Sequence, residues 1–181
     1  LHGMTVKEEY GGSDLGYLAH IVAMEEVSRA SASVGLSYGA HSNLAVNQLH
    51  RNGSQKQKEK YLPKIASGEA IGTLALFEGS GNPSPKTIKL AAASGTLNGV
   101  KKPVPDGALA DFAVVAARTA SSGRDSDISL FLVDMKGGGV EVKELTNVDP
   151  TRGQAEVTFE NCKAETLGKA GEGWSILLQV L

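Results

Sequence analysis

The chain has 181 residues, of which 41% are hydrophobic and 21% charged, a composition typical of ordered globular proteins. Its formal net charge of -2 at pH 7 gives no basic surface of the kind that nucleic acid requires, so no nucleic-acid partner is expected. No run of the sequence approaches the roughly 20 apolar residues that a membrane span needs.

Cysteine and histidine usage argues against disulfide and metal chemistry. The single cysteine, Cys162, cannot form an intramolecular disulfide or a multi-cysteine zinc site. The four histidines show no metal-ligand spacing, so no metal site is predicted.

The chain begins at Leu1 and ends within an apolar run at 173–181, which has helical spacing but no stop signal. We therefore expect a fragment of a larger protein, whose true termini and targeting signals the sequence does not give.

The first 70 residues or so have the apolar period of helices. Apolar residues recur at steps of three and four over 15–29, which predicts an amphipathic helix. A second helix is predicted over 34–51. Ser54 and Gln57 form a capping-box pattern that begins a third helix, running to about residue 66.

After Gly72 the apolar period changes to two, which is typical of β-strands. The predicted strands cover 73–77, 88–92, 96–100, 112–118, 128–134, 140–145 and 154–159. Strands of this number and spacing suggest an antiparallel barrel or sandwich, with Asn98-Gly99 and 136–139 as hairpin turns. The order of helices, then strands, then a helix contains no βαβ alternation and excludes a doubly wound sheet.

One glycine-rich segment, 78–82, follows a predicted strand and reads Glu-Gly-Ser-Gly-Asn. A phosphate-binding loop would continue with Lys-Ser or Lys-Thr and open a helix, and neither signal is present. The residues alone therefore favour a loop that simply turns the chain.

Particular residues point to a known family. Segment 3–12 reads Gly-Met-Thr-Val-Lys-Glu-Glu-Tyr-Gly-Gly and resembles the Gly-[Ile/Met]-x-Val-Pro-Glu-Glu-Tyr-Gly-Gly segment of acyl-CoA dehydrogenases. Residues 25–44, together with 47–49 and 57–64, are most similar to the isovaleryl-CoA dehydrogenase branch of that family. Residues 97–101 are similar to the family's Leu-Asn-Gly-x-Lys turn.

Similar matches at 151–153 and 159–173 extend the resemblance over nearly the whole chain. It implies an α+β multi-domain fold with three parts. Residues 1–70 would be part of the N-terminal helical domain, and 71–165 the middle β-barrel domain. Residues 166–181 would be the truncated start of the C-terminal helical domain.

The resemblance also implies a function. Family members are FAD-dependent flavoproteins, oxidoreductases that remove an α-proton and a β-hydride from an acyl-CoA thioester. For this branch the substrates are short or branched, such as isovaleryl-CoA, in leucine catabolism and fatty acid metabolism. The resemblance implies acyl-CoA and electron-transfer flavoprotein as partners, and a homotetramer as the assembly of the full-length protein. The implied location is the mitochondrial matrix or the bacterial cytoplasm. The catalytic base is expected beyond Leu181, so no catalytic residue is assigned and this fragment alone is expected to be inactive.

Candidate site residues come from aligning the family's two flavin motifs. The Thr/Ser-Glu-Pro loop aligns on Glu78, and the Trp-Ile-Thr strand aligns with 103–105. The cofactor-binding candidates are Leu74, Ala75, Leu76, Phe77, Pro83, Pro103, Val104 and Pro105. The substrate-binding candidates are Ser84 and Arg152.

Several of these positions depart from the family pattern. Phe77 replaces a hydroxyl residue, and Pro103 and Pro105 replace the tryptophan and threonine. Proline has no N–H to donate to a flavin ring. These departures, with Pro83 in the family's Gly-Ser segment, favour one alternative to an active dehydrogenase: a non-catalytic, flavin-poor subunit or scaffold that pairs with an active acyl-CoA dehydrogenase. A further alternative is an unstable fragment, whose edges the missing C-terminal helices would leave exposed.

Overall fold

A computed structural model describes residues 1–180, which form two compact units, Leu1–Gly72 and Thr73 onward. The first unit is helical. Its helices are α1 (Gly16–Ala30), α2 (Ala32–Gly39), α3 (Asn47–Asn52) and α4 (Gln55–Ser67), with a π-helical segment at Ala40–Val46 and a 3-10 turn at Glu8–Tyr10.

The predicted helices are found in the first unit, with one change. The segment expected as a single helix over 34–51 is α2, the π-helical segment and α3, which follow one another with helical backbone angles at each junction. The capping box of α4 is confirmed: Ser54 Oγ accepts from the N–H of Gln57 at 3.3 Å, and Gln57 Oε1 accepts from the N–H of Ser54 at 3.0 Å. Gly68, at φ +83°, ends α4 in the left-handed conformation.

The second unit contains the strands and a short final helix. The strands are β1 (Gly72–Ala75), β2 (Ala91–Ala93), β3 (Thr96–Pro105), β4 (Phe112–Arg118), β5 (Ile128–Asp134), β6 (Val140–Leu145), β7 (Gln154–Lys163) and β8 (Glu165–Leu167), and the helix is α5 (Gly173–Leu177). The helical part followed by a β part, as the resemblance implies, is confirmed.

The strands form one sheet in the order β6-β7-β3-β2-β4-β5-β8, with β1 paired to β4 beside this path. The pairs β2–β3, β3–β7, β4–β5, β5–β8 and β6–β7 are antiparallel, and β2 meets β4 through one parallel pair, Ala91 with Arg118. Within residues 1–180, β6 and β8 are the two ends of this order and do not pair with each other. The sheet is therefore not closed into the barrel that the sequence suggests.

The core of this unit lies around the central strands β4 and β5, in which residues 112–117 and 128–133 are all buried. Side chains from β3 and β7 pack into the same core, among them Leu97, Val104, Ala155, Val157 and Phe159. Cys162, near the end of β7, is buried there as well and packs as an apolar residue.

The two predicted hairpin turns are wrong. The turn between β2 and β3 is Ser94-Gly95, at φ +51° and +77°, and not Asn98-Gly99. Gly99 lies inside β3 at φ +139°, where the register with β7 shifts. Residues 136–139 do turn the chain, but they join β5 to β6, which are not paired with each other.

Replacement of Gly99 tests its position in β3. A Cβ at residue 99 would lie 3.1 Å from Leu90 Cα, in a backbone conformation that L-residues rarely adopt. We expect Gly99→Ala in the full-length protein to lower the free energy of unfolding by about 1–3 kcal/mol, measured by denaturant titration. The control is Gly95→Asn, because asparagine tolerates the left-handed region and no atom lies near that Cβ position; its loss should stay below about 1 kcal/mol. Equal losses of unfolding free energy in the two variants would contradict the position of Gly99 inside β3, close to Leu90.

Candidate functional site

The loop after β1 encloses a cleft of about 210 Å³. Residues 76–83 form one wall, and Thr87 and Ile88 form the other. Gly79 and Gly81 have φ of +122° and +109°, and no atom lies within 4 Å of either Cβ position. The two glycines therefore give the wall its backbone path and leave it free of side chains, so the loop both turns the chain and lines a cleft.

Glu78, one of the residues that line this cleft, forms a buried ion pair. Lys101 projects from β3 with a side chain that is 0% exposed, and its Nζ donates to Glu78 Oε1 at 2.7 Å. The same Nζ donates to the carbonyl oxygen of Leu76 at 3.1 Å. The ammonium group thus contacts both the carboxylate and the backbone of the first wall.

The carboxylate of Glu78 also bonds the segment that continues the second wall. Its Oε2 accepts from the N–H of Lys89 at 2.7 Å, and its Oε1 accepts from the N–H of Leu90 at 3.0 Å. These two amides would otherwise be available for strand pairing. Their use by Glu78 explains why the strand predicted over 88–92 is observed only as β2, Ala91–Ala93.

Backbone hydrogen bonds fix the first wall against β3. The N–H of Lys102 donates to the carbonyl of Phe77 at 2.7 Å, and the N–H of Gly79 donates to the carbonyl of Lys102 at 2.7 Å. The two bonds form a parallel bridge between Glu78 and Lys102. The wall is therefore attached to β3 through both backbone and side chain.

The environment of Lys101 alters its titration. Burial removes water from the ammonium group and lowers the pKa of Lys101 from 10.5 to about 8, although Glu78 opposes the shift by its charge and its hydrogen bond. An uncompensated buried ammonium would be strongly unfavourable, so Glu78 is the residue that makes a charged Lys101 possible here.

A turn at Ser84–Thr87 connects the two walls along the chain, and an arginine holds it. The N–H of Ser84 donates to Thr87 Oγ1 at 2.8 Å, and the N–H of Thr87 donates to the carbonyl of Ser84 at 3.0 Å. Arg118 of β4 donates to the carbonyls of Ile88 and Pro85 and forms an ion pair with Asp127 at 3.1 Å. Ser84 therefore shapes the turn through its own local bonds.

The candidate cofactor residues fall into two groups in the structure, those that line the cleft and those that do not. Leu76, Phe77 and Pro83 line the cleft, whereas Pro103, Val104 and Pro105 are not among its lining residues. The side chains of Leu74, Ala75 and Val104 are buried, the last two in the core of the sheet, so any ligand contact at those positions would come from the backbone.

The other substrate candidate, Arg152, is engaged elsewhere. Its Nε donates to Asp106 Oδ2 at 2.8 Å, and the N–H of Asp106 donates to the carbonyl of Gly153 at 2.9 Å. Asn147 Nδ2 donates to the carbonyl of Arg152 at 3.2 Å. The guanidinium thus ties the turn after β3 to the loop before β7.

The residues at 77 and 103–105 do not fit the flavin contacts that the family resemblance implies. Phe77 offers no hydroxyl, and Pro103 and Pro105 offer neither a backbone N–H nor an indole. The carbonyl of Pro105 already accepts from Thr73 Oγ1 at 2.5 Å. Ser80 and Asn82, on the first wall, are exposed polar side chains that line the cleft, together with Thr87 on the second wall.

Two further observations limit the chemistry of the described residues. Residues 1–180 contain no group of three His, Cys, Asp or Glu side chains that could hold a metal ion. No helix in that part of the chain is long and apolar enough to cross a membrane.

Comparison with known proteins identifies relatives over the whole chain. Residues 1–69 match the N-terminal domain of acyl-CoA dehydrogenase, and residues 78–162 match its middle domain. The mitochondrial isovaleryl-CoA dehydrogenase of Solanum tuberosum is 43% identical over 190 aligned positions, which cover 100% of this chain and 46% of the relative. The chain therefore spans about half the length of the relatives it matches.

Solved structures agree with the sequence matches. A chain from a structure described as the electron transferring flavoprotein of Acidaminococcus fermentans is 32% identical with a TM-score of 0.90, covering 98% of this chain and 49% of that one. Butyryl-CoA dehydrogenase from Megasphaera elsdenii is 27% identical with a TM-score of 0.88, covering 99% of this chain and 50% of that one.

The titration of Lys101 tests the geometry of the ion pair. We expect the ¹³Cε resonance of Lys101 to titrate with a midpoint near pH 8 in the folded protein. Because the unfolded chain keeps its proton up to about pH 10.5, it binds more protons than the folded state between these values, and Lys101 by itself makes the free energy of unfolding rise with pH there.

Glu78→Gln provides the control for that titration. Glu78 raises the pKa of Lys101, so its removal should move the midpoint below that of the wild type. A wild-type midpoint near 10.5 would contradict the net lowering of the Lys101 pKa by burial, and an unchanged midpoint in Glu78→Gln would contradict the ion pair.

Proposed function

The chain belongs to the acyl-CoA dehydrogenase family, and from that premise we propose that the whole protein dehydrogenates an acyl-CoA thioester between its α and β carbons. We propose a short or branched substrate of the isovaleryl-CoA type. The observation that carries this proposal is the 43% identity to isovaleryl-CoA dehydrogenase along the entire chain, across both the helical and the β unit.

We also propose the domain limits that the resemblance implies, 1–70, 71–165 and 166–181. The first limit is supported by the change from one compact unit to the other at Gly72 and Thr73. The last is supported by α5, which begins at Gly173 after the final strand. The catalytic base is proposed to lie in the part of the relatives' length that this chain does not span, so no residue of 1–181 is assigned to catalysis.

FAD is the proposed cofactor of the whole protein, and when bound it would supply the hydride acceptor. Leu76, Phe77 and Pro83, which line the cleft, are the candidates of this chain closest to such a role. Ser84 and Arg152 stay proposed substrate-side residues, although the hydroxyl of Ser84 bonds within its own turn and the guanidinium of Arg152 pairs with Asp106.

The proposed partners and location follow from the relatives. Electron-transfer flavoprotein is the proposed electron acceptor, which the structural similarity to a chain from that system supports. A homotetramer is proposed for the full-length protein. The mitochondrial matrix or the bacterial cytoplasm is the proposed compartment, because the relatives include a mitochondrial plant protein and a bacterial one.

A second candidate function is a flavin-poor subunit or scaffold that pairs with an active acyl-CoA dehydrogenase. The misfit at Phe77, Pro103 and Pro105 favours it, because these residues remove a hydroxyl, an indole and two backbone donors from the positions where the family holds the flavin. This candidate predicts a stable fold that does not retain FAD.

Flavin absorbance separates the two candidates. The full-length protein, purified with FAD present and desalted, should be yellow with about one flavin per chain. Its absorbance near 450 nm should bleach when isovaleryl-CoA is added without oxygen, because the substrate's β-hydride reduces the ring.

Addition of free coenzyme A, which lacks the acyl chain, is the control and should leave the absorbance unchanged. Colourless protein with a cooperative thermal unfolding transition would contradict the dehydrogenase and support the scaffold. Yellow protein that no short or branched acyl-CoA bleaches would contradict the proposed substrate class.

A further inference from the structure

β6 leaves one edge of the sheet open. It stands at the end of the strand order, and within residues 1–180 its only paired neighbour is β7, from Val140 opposite Phe159 to Leu145 opposite Gln154. Residues 141–144 are exposed. The strand at the other end of the order, β8, has only three residues. β6 is therefore the longer of the two edges that a further strand could join.

The hydrogen-bond pattern shows which residues of β6 face this free edge. In an antiparallel pair, residues that exchange backbone hydrogen bonds alternate with residues that do not. The N–H of Glu160 donates to the carbonyl of Gly139 at 2.8 Å, one step before the first pair of the β6–β7 register. Residues 141, 143 and 145 therefore bond to β7. The backbone N–H and C=O groups of Val140, Val142 and Glu144 point to the free edge.

The charges beside the free edge alternate in sign across the sheet. Lys102 of β3 pairs with Glu156 of β7 at 2.7 Å, and Lys143 of β6 lies directly opposite Glu156. The pKa of the Glu156 carboxyl is lowered, first by the hydrogen bond and charge of Lys102 and also by the charge of Lys143. This row of lysine, glutamate and lysine ends at β6, so a negative side chain in the next strand would continue it.

β6 itself supplies that side chain when a second copy is related to it by a two-fold axis. An antiparallel pair of β6 strands centred on Val142 places edge-facing residues opposite edge-facing residues, as backbone pairing requires. Glu141 of each copy then lies opposite Lys143 of the other. The neighbouring registers, centred on residue 141 or 143, would place glutamate against glutamate or lysine against lysine. The charges therefore favour the register centred on Val142.

We propose that two copies of this protein pair through β6, antiparallel and centred on Val142, and so join their sheets into one. The occupant of the free edge is a second copy because the charges of β6 complement those of β6 itself. The inference goes beyond the proposed function and depends on neither FAD nor an acyl-CoA.

Cysteine cross-linking in the full-length protein tests the register. Hydrogen-bonded residues opposite each other in an antiparallel pair have Cα atoms about 5.5 Å apart, within the range that a disulfide spans. We expect Val142→Cys to form a covalent dimer under mild oxidation, measured by non-reducing gel electrophoresis. Glu144→Cys is the matched control. The two copies of residue 144 would lie about 13 Å apart, so we expect at least ten times less covalent dimer.

Charge exchange tests the complementarity. In the Val142→Cys background, Glu141→Lys would oppose Lys143 with a second lysine, and we expect the rate of cross-linking to fall at least tenfold. Within one chain, residue 141 lies opposite the uncharged Thr158, so this substitution creates no like-charged pair with β7. A mixture of the Glu141→Lys and Lys143→Glu variants opposes unlike charges again. It should cross-link at least tenfold faster than either variant alone.

The outcomes decide between a second copy and another occupant. Equal cross-linking of Val142→Cys and Glu144→Cys, or no cross-linking of folded Val142→Cys, would overturn the proposal. Slow amide exchange at residues 140, 142 and 144 without cross-linking would show that another segment covers the edge, and it would overturn the second copy as the occupant. If Val142→Cys does not fold, a mixture of Val140→Cys and Glu144→Cys replaces it, because these residues face each other in the proposed register. Covalent dimer in that mixture supports the pairing, and its absence overturns it.

Discussion

The ion pair between Lys101 and Glu78 is the constraint on which the cleft in the β unit depends. A lysine that is 0% exposed is rare in proteins, and it is tolerated here because its ammonium group meets a carboxylate and a backbone carbonyl. The same carboxylate meets two backbone amides, at Lys89 and Leu90. Three segments of the chain, 76–78, 89–90 and β3, are thus connected through one set of charge-assisted hydrogen bonds.

This arrangement links the architecture of the sheet to the surface that could bind a ligand. The chain leaving β1 is held against β3, so its glycine-rich continuation forms an open wall and does not pair further as a strand. Gly99, inside β3, leaves room for Leu90. The backbone N–H of Leu90 in turn donates a hydrogen bond to the carboxylate of Glu78. A relative that kept the pair could change the residues at 103 and 105 without losing the shape of the cleft, because those residues do not line it.

Much of the fold could be predicted from periodicity, and the site could be predicted only in part. The helical unit and the β4 and β5 strands have apolar patterns long enough to be recognised, whereas β8 has three residues and one buried side chain, Leu167. The shortened β2 could not be foreseen, because it depends on a side chain twelve residues earlier in the chain. Glu78 and Lys101 are absent from the predicted site residues: Lys101 lies one residue beyond the strand predicted over 96–100, so its buried position became clear only from the longer β3, Thr96–Pro105.

The central claim is that Lys101 and Glu78 act as one unit, and a double-mutant cycle of unfolding free energies tests it most directly. The cycle compares the wild type with Lys101→Met, Glu78→Gln and the double variant in the full-length protein. Each single variant leaves a buried polar partner uncompensated, so the second substitution should do far less damage than the first. We predict a coupling energy of about 2–3 kcal/mol. A coupling energy below about 0.5 kcal/mol, as measured for many exposed pairs, would show that the two residues act independently and would contradict this account.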